Sequence, residues 1–78
     1  MIRCPCCNKL TIDDTTTPIT EICDVCYWQY DEVAQRNENS IIGPNNISLN
    51  QAKKNYKLFG ASEYKFINLV RKPTKEEI

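Results

Sequence analysis

Two pairs of cysteines, each with a two-residue gap, constrain this chain more than any other feature of its sequence. They lie in Cys4-Pro5-Cys6-Cys7 and in Cys23-Asp24-Val25-Cys26, and residues 8–22 separate them. Each gap makes a tight turn that points both sulfurs at one centre, and two such turns supply four tetrahedral ligands. The spacing therefore predicts one structural Zn²⁺ held by Cys4, Cys7, Cys23 and Cys26. Iron uses the same ligands in rubredoxin-like sites, so the spacing leaves iron open.

A metal site of this kind matches what a small chain needs. Of the 78 residues only 18 are Leu, Ile, Val or Phe, and a core of that size rarely holds a fold unaided. A closed four-ligand site has no position for a reactive water, so its binding free energy becomes folding free energy. No apolar run follows a basic start before Cys4, so we expect neither a signal peptide nor a membrane span. We therefore expect a cytoplasmic protein, in a compartment where disulfides are rare.

Cys6 is the fifth cysteine and lies inside the first turn, where it cannot easily join the same tetrahedron. It is either a small residue packed beside the metal or a thiol activated by a nearby cation or by backbone amides. The chain contains no histidine, which rules out a cysteine–histidine nucleophile pair. The sequence therefore predicts no enzyme, and a thiol or redox role for Cys6 stays as a lesser alternative.

Two short strands are expected between the cysteine pairs, over 10–12 and 19–22, because both stretches are rich in β-branched residues and alternate in polarity. Residues 13–18 contain the acids and the proline that a connecting turn would use. Such a hairpin would carry one cysteine pair at each open end, which would bring all four sulfurs together.

Helices are expected in the second half of the chain. Ser48 and Gln51 form a capping box, after which apolar residues follow at helical spacing until Gly60. Ser62 is expected to cap a second helix over 63–71, ended by Lys72-Pro73. The fold class predicted is a small α+β domain, with a zinc-ribbon-like β-hairpin and two C-terminal helices. It comprises a single domain over 1–78, with a cysteine-rich ribbon over 1–30, a helical part over 48–72 and a charged tail over 73–78.

Charge is distributed unevenly, although the formal net charge is zero. Residues 1–47 contain three basic and seven acidic residues, whereas residues 48–78 contain seven basic and three acidic residues. The basic half includes Lys53, Lys54 and Lys57 on one helix face, which could neutralise phosphates of a nucleic acid. The calculated isoelectric point of about 6.2 is well below that of most nucleic-acid-binding domains, so a solvated helix face is the preferred interpretation.

An aromatic group follows the second cysteine pair. Trp28 is expected in the core, where one large aromatic can shield a small metal site. If Tyr27, Trp28 and Tyr30 were exposed, they would form a binding hot spot next to Asp31. These four residues are the candidate partner-binding positions.

Several segments together resemble the small bacterial cysteine-rich CPCC family. They are Cys-Pro-Cys-Cys, Glu-Ile-Cys-Asp-Val-Cys-Tyr-Trp, Gly-Pro-Asn and Ser-Leu-Asn-Gln-Ala-Lys-Lys-Asn-Tyr-Lys-Leu-Phe-Gly-Ala, and the resemblance runs from about Arg3 to Pro73. It implies a zinc-binding domain and supports the ligand role of Cys4, Cys7, Cys23 and Cys26. Family members usually have Gly after the first cluster, where this chain has Asn8, which tolerates a left-handed backbone. Family members also tend to have acids soon after the tryptophan, but here Gln29 and Tyr30 precede Asp31.

The favoured function is a protein-interaction module, such as an adaptor, an inhibitor or an immunity-type partner. Its acidic first half and aromatic group would meet a basic, apolar surface of another protein. A nucleic-acid-binding zinc ribbon that uses the lysine face is the alternative.

Overall fold

The fold, described here from a computed structural model of residues 1–78, combines a two-stranded antiparallel hairpin with two helices. This arrangement confirms the predicted α+β class. The elements in chain order are β1 (Ile2–Arg3), β2 (Leu10–Ile12), α1 (Glu32–Arg36), α2 (Leu49–Phe59) and a single 3₁₀ turn over Tyr64–Phe66.

The hairpin pairs β1 with β2, so that Ile2 lies opposite Ile12 and Arg3 opposite Leu10, with a register shift between Ile2 and Arg3. The strand predicted over 10–12 is confirmed, but the partner strand predicted over 19–22 is wrong. In that stretch only Ile22 forms a β-bridge, and its partner is Gln29. The physical reason is that each cysteine-pair turn itself reverses the chain, so the paired backbones lie on either side of the same cysteine pair.

The longer helix, α2, begins and ends as its sequence predicts. The Ser48 hydroxyl accepts a hydrogen bond from the Gln51 amide at 3.2 Å. Gly60 has a left-handed backbone with φ 84°, and its amide donates to the carbonyl of Tyr56 at 2.9 Å. The Gln51 side chain does not close the capping box, because it donates to Asn55 one turn later. Leu49 and Ala52 carry the buried stripe of the helix.

The second helix predicted over 63–71 is wrong, since the chain forms only one 3₁₀ turn there. Ser62 does not cap it: its side chain is buried without a hydrogen-bond partner, and its amide donates to the carbonyl of Cys26 at 2.7 Å. Farther along, the Arg71 amide donates to the carbonyl of Asp24 at 3.1 Å. These bonds attach residues 62–71 to the second cysteine turn. The amides of Ser62 and Arg71 therefore donate to that turn and not to carbonyls of a helix.

The short helix α1 was not predicted. Asp31 begins it, because its carboxylate accepts a hydrogen bond from the Val33 amide at 3.0 Å. One turn buries only Ala34, so the apolar periodicity that identifies longer helices is absent from this segment. An aspartate before a short apolar pair was the only sequence signal for it.

The core surrounds the cysteines. Trp28 is fully buried, as expected, and lies in one cluster with Ile12, Val25 and Leu49. All five cysteines belong to the same apolar core. The apolar core and the sulfur cluster are therefore one unit, so anything that displaces the sulfurs also disturbs the packing. No helix of the chain has the length and apolar character that a membrane crossing requires.

Residues 73–78, predicted as a charged tail, lie against the hairpin. The Leu10 amide donates to the carbonyl of Glu77 at 2.8 Å. Arg71 donates to both carboxylate oxygens of Glu77, at 2.7 and 2.8 Å. This bidentate pair, assisted by the Thr74 amide, lowers the pKa of Glu77 to about 2.

We expect replacement of Ser48 by alanine to lower the free energy of unfolding by about 1 kcal/mol, because the Gln51 amide loses its acceptor. Urea denaturation of the metal-loaded chain, at a fixed free metal concentration, measures this effect. Ser40→Ala is the matched control, since Ser40 is exposed and its hydroxyl makes no hydrogen bond. Equal stability of the two variants would contradict the capping role.

We expect Arg71→Gln to raise the pKa of Glu77 from about 2 towards its ordinary value of 4.5. Because folding depresses this pKa, the ion pair stabilises the fold above about pH 4.5, and that contribution is lost as the pH falls towards 2. Carboxyl-detected NMR titration measures the pKa directly. In the control variant Lys72→Gln the value should stay near 2, and an unchanged value in Arg71→Gln would refute the pairing.

Candidate metal centre

The two cysteine turns have the same backbone hydrogen bonds. In the first turn, the Asn8 amide donates to the Cys4 carbonyl at 2.8 Å, and the Cys4 amide donates to the Lys9 carbonyl at 2.8 Å. In the second turn, the corresponding bonds join Tyr27 to Cys23 at 2.7 Å and Cys23 to Trp28 at 2.9 Å. The chain therefore contains two copies of one short motif, although its sequence shows no repeat.

The residue after each turn has a left-handed backbone, with φ 62° at Asn8 and 68° at Tyr27. The expectation for Asn8 is confirmed, because asparagine adopts this conformation with little strain. Tyr27 was not predicted there, and a bulky residue at positive φ carries backbone strain. The side chain of Tyr27 packs against Phe66, with ring centroids 4.6 Å apart, so tertiary contact helps to hold that conformation.

The four predicted ligands converge. Their Sγ atoms all lie within 4.8 Å of one another. The distance from Cys4 Sγ to Cys26 Sγ is 3.5 Å, and the distance from Cys7 Sγ to Cys23 Sγ is 3.7 Å. A tetrahedron with metal–sulfur bonds of about 2.3 Å has sulfur–sulfur edges of about 3.8 Å. The cluster fits one metal ion, whereas a disulfide needs about 2.0 Å between sulfurs.

The protonation of the cluster shows why it suits a cation. The pKa of Cys23 lies well below its ordinary value, because the neighbouring thiols of Cys26, Cys4 and Cys7 stabilise a thiolate at its sulfur. The pKa values of Cys26 and Cys4 are raised, chiefly by their interaction with Cys23. Four buried thiols therefore cannot all ionise unaided. A divalent cation would remove that restriction, since metal ligation deprotonates a thiol outright.

Two further groups contact the sulfur of Cys23. The Thr11 hydroxyl lies 2.9 Å from it, and the Val25 amide donates to it at 3.4 Å. Hydrogen bonds of this kind orient a thiolate and disperse its negative charge. Sequence reasoning did not identify Thr11 as a site residue. Its only signal was a polar side chain in the strand that follows the first cysteine pair.

Cys6 lies outside the four-sulfur cluster and is a free cysteine, 7% exposed. It lines an open groove of about 380 Å³ between the first cysteine turn and α2. Lys53, Tyr56 and Lys57 form the α2 side of that groove. The structure therefore places Cys6 beside the centre without making it a member.

The candidate partner-binding residues separate into different environments. Trp28 is fully buried and cannot contact a partner, while Tyr27 is partly covered by Phe66. Tyr30 is half-buried against the core, and Asp31 caps α1. Only Tyr30 and Asp31 line a groove, so the four residues do not form one exposed aromatic patch.

The three lysines also divide. The ammonium group of Lys53 forms an ion pair with Glu38 from the loop before α2. Lys54 and Lys57 are exposed. Lys53 and Lys57 line the groove that contains Cys6, but Lys54 does not. The face therefore presents fewer free cations than its sequence suggests.

We expect Thr11→Val to weaken metal affinity by about 10- to 100-fold, because the Cys23 thiolate loses a hydrogen-bond donor. Competition with a chromophoric chelator measures the affinity. Thr11→Ser keeps the hydroxyl and should restore most of the affinity, which separates the hydrogen bond from packing. Identical affinities for the valine variant and the unaltered chain would contradict this role.

Comparison with known proteins adds the family. The model of the cysteine-rich CPCC family matches residues 2–77. No curated protein and no solved structure matches the chain. The matched segment spans nearly all residues and includes both cysteine turns and α2. The chain therefore belongs to the cysteine-rich CPCC family.

Proposed function

We propose that the four-cysteine cluster holds one structural Zn²⁺ and that the protein is an interaction module which binds another protein, not an enzyme. The observation that carries the proposal is the closed, buried cluster. Cys4, Cys7, Cys23 and Cys26 are each at most 6% exposed, and four sulfurs complete a tetrahedral coordination shell. A substrate or reactive water would have no coordination position there.

Zinc fits this cluster because it prefers tetrahedral thiolate coordination and undergoes no redox change. The Thr11 hydroxyl and the Val25 amide supply outer hydrogen bonds to one sulfur. We place the protein in the cytoplasm, where a reducing environment would keep all five thiols available.

A protein partner is favoured over a nucleic acid by the charges on the surface. Lys53 is engaged by Glu38, which leaves Lys54 and Lys57 as the free lysines among the three considered. Residues 1–47, which contain the four cysteines, also contain seven acidic and only three basic residues. Four thiolates with one Zn²⁺ would add two further negative charges to this half. These charges favour a basic partner surface.

Metal analysis of the purified chain should find one zinc per molecule, and chelation should unfold it, because metal binding and folding are linked. Cys23→Ser should abolish both zinc binding and folding. Cys6→Ser, a matched change outside the cluster, should retain the metal and the circular dichroism spectrum. A folded, metal-free chain would overturn the structural role, and an iron-type visible absorption spectrum would replace zinc by iron.

The interaction function is tested by cross-linking in cells that produce the zinc-loaded chain, followed by purification of the captured protein. We expect calorimetry to show a one-to-one complex with the captured protein. Treatment with nuclease should leave this complex intact. A protein that makes about six to ten phosphate contacts loses about 10³- to 10⁵-fold in affinity between 50 and 200 mM salt. The affinity of the protein complex should fall far less over the same range. The nucleic-acid alternative would be established by two results together. Nuclease would abolish the binding, and the double variant Lys54→Glu, Lys57→Glu would no longer bind.

A further inference from the structure

A second groove, of about 300 Å³, lies between the segment that precedes the second cysteine pair and the beginning of α1. Ile19, Tyr30 and Val33 form its apolar lining. Val33 is 42% exposed although it is apolar. This volume is at the low end for ligand pockets, so the groove suits a few side chains of a peptide better than a large cofactor.

One wall of the groove has unused backbone groups. The Tyr30 amide donates to the Glu21 carbonyl at 2.8 Å, and Ile22 bridges to Gln29. Alternate residues of an extended segment point their backbone groups to the same side, so Ile19 is the next residue on the side of Glu21. The amide and carbonyl of Ile19 make no hydrogen bond within the chain, so the pairing stops there. Unpaired backbone groups beside an apolar groove are the features that proteins use to bind an extended segment by strand addition.

The charges at the groove select among extended segments. Asp31 and Glu32 line it together with a single base, Arg36 at the far end of α1. Glu21, which is exposed, follows the unpaired segment directly. The acidic excess around the groove agrees with the acidic first half of the chain. A segment that carries lysine or arginine would be attracted, and an acidic segment would be repelled.

We propose that this groove binds an extended segment of the partner protein through main-chain hydrogen bonds to Ile19. An apolar side chain of that segment lies on Tyr30 and Val33, and a neighbouring lysine or arginine lies beside Glu32. This inference rests on the proposed interaction function and assigns it a location and a partner chemistry.

The probe is a phage-displayed library of random twelve-residue peptides, selected on the full, zinc-loaded chain. We expect the enriched peptides to share an apolar residue next to lysine or arginine. A synthetic copy should shift the amide NMR signal of Ile19 and protect that amide from hydrogen exchange. Val33→Lys should weaken its binding at least tenfold. Leu58→Lys makes the same change at an apolar residue of α2 that is 78% exposed and outside the groove, and it should leave the affinity within twofold.

Ile19→Pro tests the backbone contribution, because it removes an amide hydrogen that has no partner within the chain. Ile19→Ala loses the same side chain but keeps the amide hydrogen, so Ile19→Pro should bind the peptide at least tenfold more weakly than Ile19→Ala. Zinc stoichiometry shows whether the proline variant folds. If it does not fold, the hydrogen-exchange protection at Ile19 decides the same point in the unaltered chain.

Two results would overturn the inference. One is a selection that enriches no peptide or only acidic ones. The other is an enriched peptide that binds Val33→Lys as tightly as the unaltered chain, and folded Ile19→Pro as tightly as Ile19→Ala. In either case, a captured one-to-one protein complex would leave the interaction function standing, and only the location and chemistry assigned to it would be lost.

Discussion

The convergence of four cysteine sulfurs is the constraint on which the rest of this structure depends. The hairpin has strands of only two and three residues, and an isolated two-stranded ribbon is marginal in water. The helix α2 has eleven residues, a length at which an isolated helix is also marginal. Each element is therefore weak alone. The buried sulfur cluster joins them, because Trp28, Ile12 and Leu49 pack in the same unit as the cysteines.

Duplication of one cysteine turn explains how so short a chain builds that centre. The two turns share their hydrogen bonds, and each is followed by a residue with a left-handed backbone, so each presents two sulfurs in the same way. The segments after the two turns differ, because the first turn leads into β2 and the second leads through Trp28 to α1. This difference leaves the segment over 18–20 without a β-sheet partner.

The sequence predicted those parts of the fold that depend on local chemistry. The cysteine spacing identified all four members of the cluster, Ser48 and Gly60 located both ends of α2, and Asn8 indicated a left-handed turn. The errors arose where tertiary contacts decide the structure. Ser62 looks like a helix cap, but its amide bonds to Cys26. Residues 19–22 have strand composition, but composition does not specify a pairing partner, and the cysteine turns supplied nearer ones.

Thr11 and α1 were missed for different reasons. A threonine in a strand carries no sign that its hydroxyl will reach a sulfur, because that contact depends on how the two cysteine turns meet. The helix α1 is too short for periodicity to reveal it. The groove that Tyr30 and Asp31 line also depends on the meeting of distant segments, so both residues were identified without the neighbours that they have there.

X-ray absorption at the zinc edge is the sharpest test of a four-sulfur metal centre, because it reports the type, number and distance of the metal's ligands in solution. We expect four sulfur ligands at about 2.3 Å in the unaltered chain and the same spectrum in Cys6→Ser. A shell that contains nitrogen or oxygen, or a spectrum that changes when Cys6 is replaced, would contradict a closed centre formed by Cys4, Cys7, Cys23 and Cys26.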